Sequence, residues 1–309
     1  MWKTILSAAS ILAGVSVGPT VSDPSRSPTP NPPLAEVPFT LHQNAIIVPA
    51  VIDGRATVHL LLDTGWGPLA LVSTTAERLG LHPQGPSGEL PRVKVGSLAV
   101  GGAVQKKASF EVFPAQELEP LIGPHDGVLS TAFFRDLVLQ IDYPSRIVRF
   151  FARSPIAGTP PATPGDRASV PMVFSPRADG LPFTDSVLVD GKPARAVFDT
   201  GGSGGFLAMA QLVERMHLPI LPESGAGIAV GMLSNGQATQ QKVTFARVER
   251  IALGPFVVDS PRVMVAPSQL EGGDWGHDLN IGYGFMRNYV VTFDYPGKVI
   301  TFERPRTSR

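Results

Sequence analysis

The chain has 309 residues, with 26 basic and 26 acidic side chains, 43% hydrophobic residues and no cysteine. Zero formal charge without a basic run gives no footing for nucleic-acid binding. The lack of cysteine rules out disulfides, thiolate metal sites, a cysteine nucleophile and lipoprotein attachment.

Length allows one large or two modest domains, each with its own core. With 32 glycines, 31 prolines and few aromatics, the composition favours a turn-rich β protein. In chain order, one positive charge at Lys3 and the apolar stretch Thr4–Gly18 make residues 1–22 a signal peptide or an uncleaved N-terminal anchor. Cleavage would fall after Gly18 or Ser22. The stretch is short for a transmembrane helix, which needs about 20 apolar residues. Both readings imply export, periplasmic or secreted, and the anchor adds membrane tethering. Residues 23–38 are rich in Pro and Ser and are expected to be a solvated linker, as are residues 153–169. Two similar segments, 39–152 and 170–305, lie between and after them.

The first segment opens with AVIDGRATVHLLLD, two strands turning at Asp53-Gly54 and ending on Asp63-Thr64-Gly65. A short helix follows in TTAERLGL, with capping-box spacing from Thr74 to Glu77. The segment closes on FFRDLVLQIDYPSRIVRFF, a hairpin turning at Asp142-Tyr143-Pro144. The second segment repeats the series. SVLVDGKPARAVFD turns at Asp190-Gly191 and ends on Asp199-Thr200-Gly201, LVERMHL matches the helix, and FMRNYVVTFDYPGKVITFE turns at Asp294-Tyr295-Pro296.

Spacing maps the difference between the halves. The Asp-Thr-Gly motifs are 136 apart (199 minus 63), the Asp-Tyr-Pro turns 152 (294 minus 142). Matching Leu81–Gly96 to Leu218–Gly254 puts the surplus after the second helix. There GAGIAVGMLSNGQATQQKV reads as a hairpin around Asn235-Gly236, which the first half lacks.

A duplicated chain with Asp-Thr-Gly after a strand in each half resembles the retropepsin-like aspartyl proteases, in a duplicated, two-lobed and exported form. The likeness covers most of residues 39–304. It implies an all-β fold with a pseudo-twofold axis, a central cleft and peptide-bond hydrolysis without metal or cofactor. Asp63 and Asp199 would then be catalytic, with Thr64, Gly65, Thr200 and Gly201 supporting the active-site loops and the threonines bonding across the interface. Val128-Leu129-Ser130 and Asn280-Ile281-Gly282 occupy the places of an apolar-apolar-Gly support, from which Ser130 departs. Trp66 and Gly202 stand where the family has Ser, Thr or Ala. These two, with Gly231 and Met232 of the long hairpin acting as a flap, are candidate substrate contacts.

The chemistry has a reason independent of the name. Two carboxyl groups a few ångströms apart cannot both ionise and so hold one proton between them, the aspartic-protease dyad being the type case. One then serves as base to water while the other polarises the scissile carbonyl. The partner is a polypeptide, and a single chain supplying both aspartates has no need of a dimer.

Two other classes compete. One is a peptide-binding module on the same fold that does not cut. The other is a serine hydrolase, since Gly201-Gly202-Ser203-Gly204-Gly205 fits G-x-S-x-G with Asp274 and His277 downstream, though the first half has no matching serine. The six histidines lack metal-ligand spacing, and Asp274, His277 and Asp278 read as a solvated loop. Asp53, Asp142, Asp190 and Asp294 read as turn residues.

Overall fold

The computed structural model describes residues 31–87, 89–114, 125–156, 165–174, 181–221, 228–232, 238–266 and 276–305, with side chains undescribed in 228–232 and 238–241. The expected signal peptide, Asp274 and the Asn235-Gly236 turn lie outside these residues. Among the described residues no helix is long and apolar enough to cross a membrane.

The first half forms strands β1 (Ala35–Pro38), β2 (Thr40–His42), β3 (Ala45–Ile52), β4 (Ala56–Asp63), β5 (Leu69–Val72), β6 (Arg92–Lys94), β7 (Ser97–Val100), β8 (Ala103–Lys106), β9 (Ser109–Phe113), β10 (Gly127–Ser130), β11 (Val138–Asp142) and β12 (Ile147–Phe151). The second forms β13 (Arg167–Pro171), β14 (Val173–Phe174), β15 (Pro182–Val189), β16 (Lys192–Phe198), β17 (Phe206–Ala208), β18 (Ile228–Met232), β19 (Ala238–Lys242), β20 (Thr244–Arg247), β21 (Arg250–Leu253), β22 (Phe256–Asp259), β23 (Arg262–Val265), β24 (Leu279–Ile281), β25 (Val290–Asp294) and β26 (Val299–Glu303). Helices are short: α1 (Ser73–Arg78), α2 (Thr131–Phe134), α3 (Ala210–Met216) and α4 (Tyr283–Met286).

The duplication expected from the motifs holds strand by strand. One lobe runs β6-β9-β5-β10-β4-β3-β7-β8 and the other β20-β23-β17-β24-β16-β15-β21-β22. A six-stranded sheet, β1-β12-β11-β25-β26-β13, joins them, with β11 and β25 antiparallel at its centre. There Gln140 stands opposite Thr292 and donates to its hydroxyl at 3.1 Å. The fold is therefore all-β with a pseudo-twofold axis through that pair.

Turn chemistry explains the hairpins. Asp53 and Gly54 both take positive φ (52° and 65°), as do Asp190 and Gly191 (47° and 76°), the requirement of a two-residue turn whose twist matches the strands. Asp142 and Asp294 accept from the backbone N–H three residues on, at 3.0 and 2.7 Å.

Four expectations need correcting. Ala35–Pro38 and Arg167–Ser169, placed in linkers, belong to β1 and β13, which pair with β12 and β26 and close the edges of the six-stranded sheet. The capping box does not form. Strand β5 runs straight into α1, so the cap is Val72, with no side-chain hydrogen bond. The surplus in the second half is better anchored on Gly101, which shares with Gly254 a φ of 55° at the β7–β8 and β21–β22 turns. The helix-to-turn distance is then 20 positions (101 minus 81) against 36 (254 minus 218). That excess of 16 equals the difference between 152 and 136, and β18–β19 falls within it. Finally, His277 and Asp278 are buried, at 6% and 8% exposure, and do not form a solvated loop.

Candidate active site

Strand β4 buries Val58, Leu60 and Leu62 in the core and delivers Asp63 at its end; β16 does the same with Ala194, Ala196 and Phe198 before Asp199. Each aspartate therefore leaves a strand pinned on both sides, β4 between β3 and β10, β16 between β15 and β24.

The threonines then bind the two loops to each other. Thr64 N–H donates to the Thr200 hydroxyl at 3.0 Å and Thr200 N–H to the Thr64 hydroxyl at 3.1 Å. Each hydroxyl passes its own proton to the opposite strand, Thr64 to the Phe198 carbonyl and Thr200 to the Leu62 carbonyl, both at 2.6 Å. Both side chains are almost fully buried, so every donor and acceptor of the interlock is satisfied away from water.

Gly65 and Gly201 make the close approach possible. A Cβ on Gly65 would lie 2.6 Å from Asp199 Cγ, and one on Gly201 would lie 2.5 Å from Asp63 Oδ2. Only glycine allows each backbone to pass beside the opposite carboxyl group. The two carboxyl groups come close enough that the charge of Asp199 raises the pKa of Asp63.

Their surroundings differ. Asp63 Oδ1 accepts from Gly65 N–H at 2.7 Å. Asp199 Oδ1 accepts from Gly201 and Gly202 N–H at 2.9 and 3.0 Å, and its Oδ2 accepts from Asn280 Nδ2 at 3.2 Å. Both residues keep some exposure, yet protein encloses the carboxyl groups closely enough that burial is the largest influence on each. Asp63 is held well above the usual carboxylate range, first by burial and then by the charge of Asp199. Asp199 is raised by burial too, but the Gly202, Gly201, Asp63 and Asn280 donors pull it back. Asp199 thus receives more donors than Asp63, an arrangement that favours its ionised form when the pair holds one proton.

Below them Tyr143 and Tyr295 are buried and stay neutral, first through burial and then through the charges of Asp199 and Asp63 respectively. Both had been expected only as neighbours of turn residues.

Other expected site residues fall as follows. Trp66 has its ring edge-on to Phe113 at 6.0 Å and packs on a cluster that includes Leu61 and Val128. A Cβ on Gly202 would stand 3.3 Å from the Asp199 carbonyl oxygen and 3.4 Å from its Oδ2. Gly231 and Met232 sit in β18, opposite Thr239 and Ala238 of β19. Ser130 departs from glycine without loss of support, because its hydroxyl donates to the Gly67 carbonyl at 2.8 Å. At the matching Gly282 a Cβ would meet the Gly204 carbonyl at 2.6 Å. Ser203 lies on a loop that leads into strand β17, whereas a nucleophile elbow leads into a helix. His277 Nε2 is engaged by Asn280 Oδ1 at 2.6 Å. Among the described residues no cluster of side chains could hold a metal ion.

Residues 186–285 match the family model described as aspartyl protease. Among solved structures, the aspartic proteinase from Irpex lacteus is similar, with a TM-score of 0.50 and 12% identity over 87% of this chain and 97% of that one. No curated protein matches the chain.

Proposed function

We propose that this chain is an exported aspartic endopeptidase that hydrolyses peptide bonds with Asp63 and Asp199, a reading supported by the aspartyl protease model matched over residues 186–285. The observation that carries this reading is the pair of facing carboxyl groups held together by the threonine interlock. Export rests on the sequence of residues 1–22.

In this mechanism Asp199 removes a proton from a water molecule, whose oxygen attacks the scissile carbonyl carbon, while Asp63 gives its proton to the carbonyl oxygen. A neutral gem-diol forms. On collapse, the C–N bond breaks, Asp199 returns its proton to the leaving amine and Asp63 recovers one from a diol hydroxyl. No cofactor enters the balance. The β18–β19 hairpin, with Gly231 and Met232, would lie against an extended polypeptide as an added strand.

Activity requires Asp199 charged and Asp63 protonated. It is expected to fall at low pH as Asp199 takes up a proton, and at high pH as Asp63 loses its own. The test is digestion of an unfolded polypeptide from acid to neutral pH by the wild type, Asp63→Asn, Asp199→Asn and Ser203→Ala. The reading expects both Asn variants inactive and Ser203→Ala active. A wild type that binds the polypeptide and cuts at no pH would make this a binding module instead.

A further inference from the structure

The donors on Asp199 do not all come from its own loop. Gly201 and Gly202 carry no side chains, and both their N–H groups donate to Oδ1, that of Gly201 serving Asp63 as well. Apart from Asp63, the described side chain that serves Oδ2 is Asn280, on the neighbouring parallel strand β24. The first lobe has Val128 at the corresponding place on β10, paired with Leu61 and in the cluster on which Trp66 packs, and its side chain has no hydrogen to donate.

An amide can turn end for end, and only one orientation suits a carboxylate. If Asn280 were reversed, its carbonyl oxygen would face Asp199 and repel it. His277 supports the productive orientation, since its Nε2 meets Asn280 Oδ1 at 2.6 Å and, carrying hydrogen there, donates to it. The imidazole is itself fixed. Its ring lies against Phe183 with centroids 5.7 Å apart, and its backbone carbonyl accepts from Gln211 Nε2 at 2.5 Å. The next residue, Asp278, is clamped by Arg215 at 2.8 and 2.9 Å and accepts from Arg195 N–H at 2.9 Å.

We propose that Asn280, braced by His277, is a positioning residue that keeps the outer oxygen of Asp199 charged and aimed at the attacking water. This rests on the proteolytic reading above. Burial holds the imidazole pKa below its ordinary value, against the Asn280 hydrogen bond and the charges of Asp199 and Asp278. The ionisable groups around the pair are Asp63 and Asp199 across the floor, Tyr143 beneath, and Asp278 with Arg195 and Arg215 behind.

Asn280 bonds to the ionised form of Asp199 and so lowers its pKa; removing it must raise that pKa and move the acid limb of the rate profile to higher pH. Three full-chain variants test this: Asn280→Val, which installs the first lobe's residue; His277→Phe; and Asn280→Val with Gly202→Ser. A Cβ at position 202 would stand 3.4 Å from Asp199 Oδ2, so a serine hydroxyl there can replace the lost donor.

Expected for Asn280→Val is a fall in kcat of about tenfold at the wild-type optimum, with KM little changed and the acid limb moved up by about one pH unit. His277→Phe should move the limb the same way by less, and the added serine should bring it back. Titration of the aspartate side-chain carboxyl groups by 13C NMR reads the same shift without turnover. An unchanged Asp199 titration in folded Asn280→Val overturns the proposal, and if that variant does not fold, an unchanged titration in His277→Phe overturns it. A wild type that cuts nothing while Asp199 still shifts in Asn280→Val would instead sink the proteolytic reading and leave the positioning intact.

Discussion

The two lobes repeat one another in strand order and differ most around their aspartates. On the Asp63 side, Trp66 packs on the cluster of Leu61, Val128 and Phe113. Asp199 stands on the matching floor of its lobe, where His277 and Asn280 take the places of His125 and Val128 and Gly202 that of Trp66. One scaffold thus gives one carboxyl group reason to keep a proton and the other reason to lose it. Duplication within a chain permits this division, because each copy can change its surroundings alone.

The largest expected effect is also the least discriminating. Asp63→Asn and Asp199→Asn should each lower kcat by about 10⁴-fold or more, measured on an unfolded polypeptide, since a shared proton needs both partners. Loss of activity in only one variant would mean that the lobes do not act together.

The interlock separates symmetry from asymmetry. Thr64→Val and Thr200→Val each leave a buried N–H and a buried carbonyl unpaired, so each should cost about 1–3 kcal/mol of stability by urea denaturation. Equal losses would confine the difference between lobes to the carboxyl environments.

The carboxyl groups themselves should differ in stability against pH. The folded pKa of Asp63 is raised above the ordinary 3.8, so the folded state keeps a proton that the unfolded chain has released. Stability is then lost as pH rises from about 4 through the folded value. Asp63→Asn should remove that loss, seen as a flatter melting temperature over this range, and Asp199→Asn should flatten it less. Asp126 has the opposite sign. Its pKa is lowered by donors from His59 N–H, Thr75 and Arg78, outweighing its own burial, so its contribution is present above about 4 and disappears as pH falls through the lowered value.

The smallest effect lies behind the helices. Arg78 pairs with Asp126 and Arg215 with Asp278, with the carboxylates 19% and 11% exposed. Alanine at either arginine should cost about 1 kcal/mol or less. Arg215→Ala should be the costlier, because Asp278 is the more enclosed and adjoins His277. Equal costs would show that this brace does not distinguish the lobes.

Much of this was legible in the sequence, for reasons that are local. Asp-Gly turns, the Asp-Tyr-Pro hairpins and Asp-Thr-Gly after an apolar run each need only a few consecutive residues to declare their geometry. The features that were missed depend on distance. Strands β1 and β13 look like linkers because they are only four and five residues long and border proline-rich stretches. The pairing of Arg215 with Asp278 joins residues 63 positions apart, which no window reveals. A signal for His277 and Asn280 did exist. His125-Asp126 and His277-Asp278 recur at the same spacing of 152 as the Asp-Tyr-Pro turns (277 minus 125), marking a second duplicated element. Within it, the exchange of Val128 for Asn280 puts a polar side chain in a strand otherwise built to be buried.

The six-stranded sheet carries a lesson about ancestry and assembly. Its central seam joins β11 to β25 with Gln140 opposite Thr292, and each lobe brings three strands to it. A chain cut between the lobes would expose that seam as an open edge. Two copies of the first lobe could pair edge to edge with Gln140 opposite Gln140, closing an isologous dimer around twin copies of Asp63. Such a dimer would own two apolar-walled aspartates and no Asn280. It would be symmetric where the present molecule is specialised, with neither carboxyl group favoured to give up the proton.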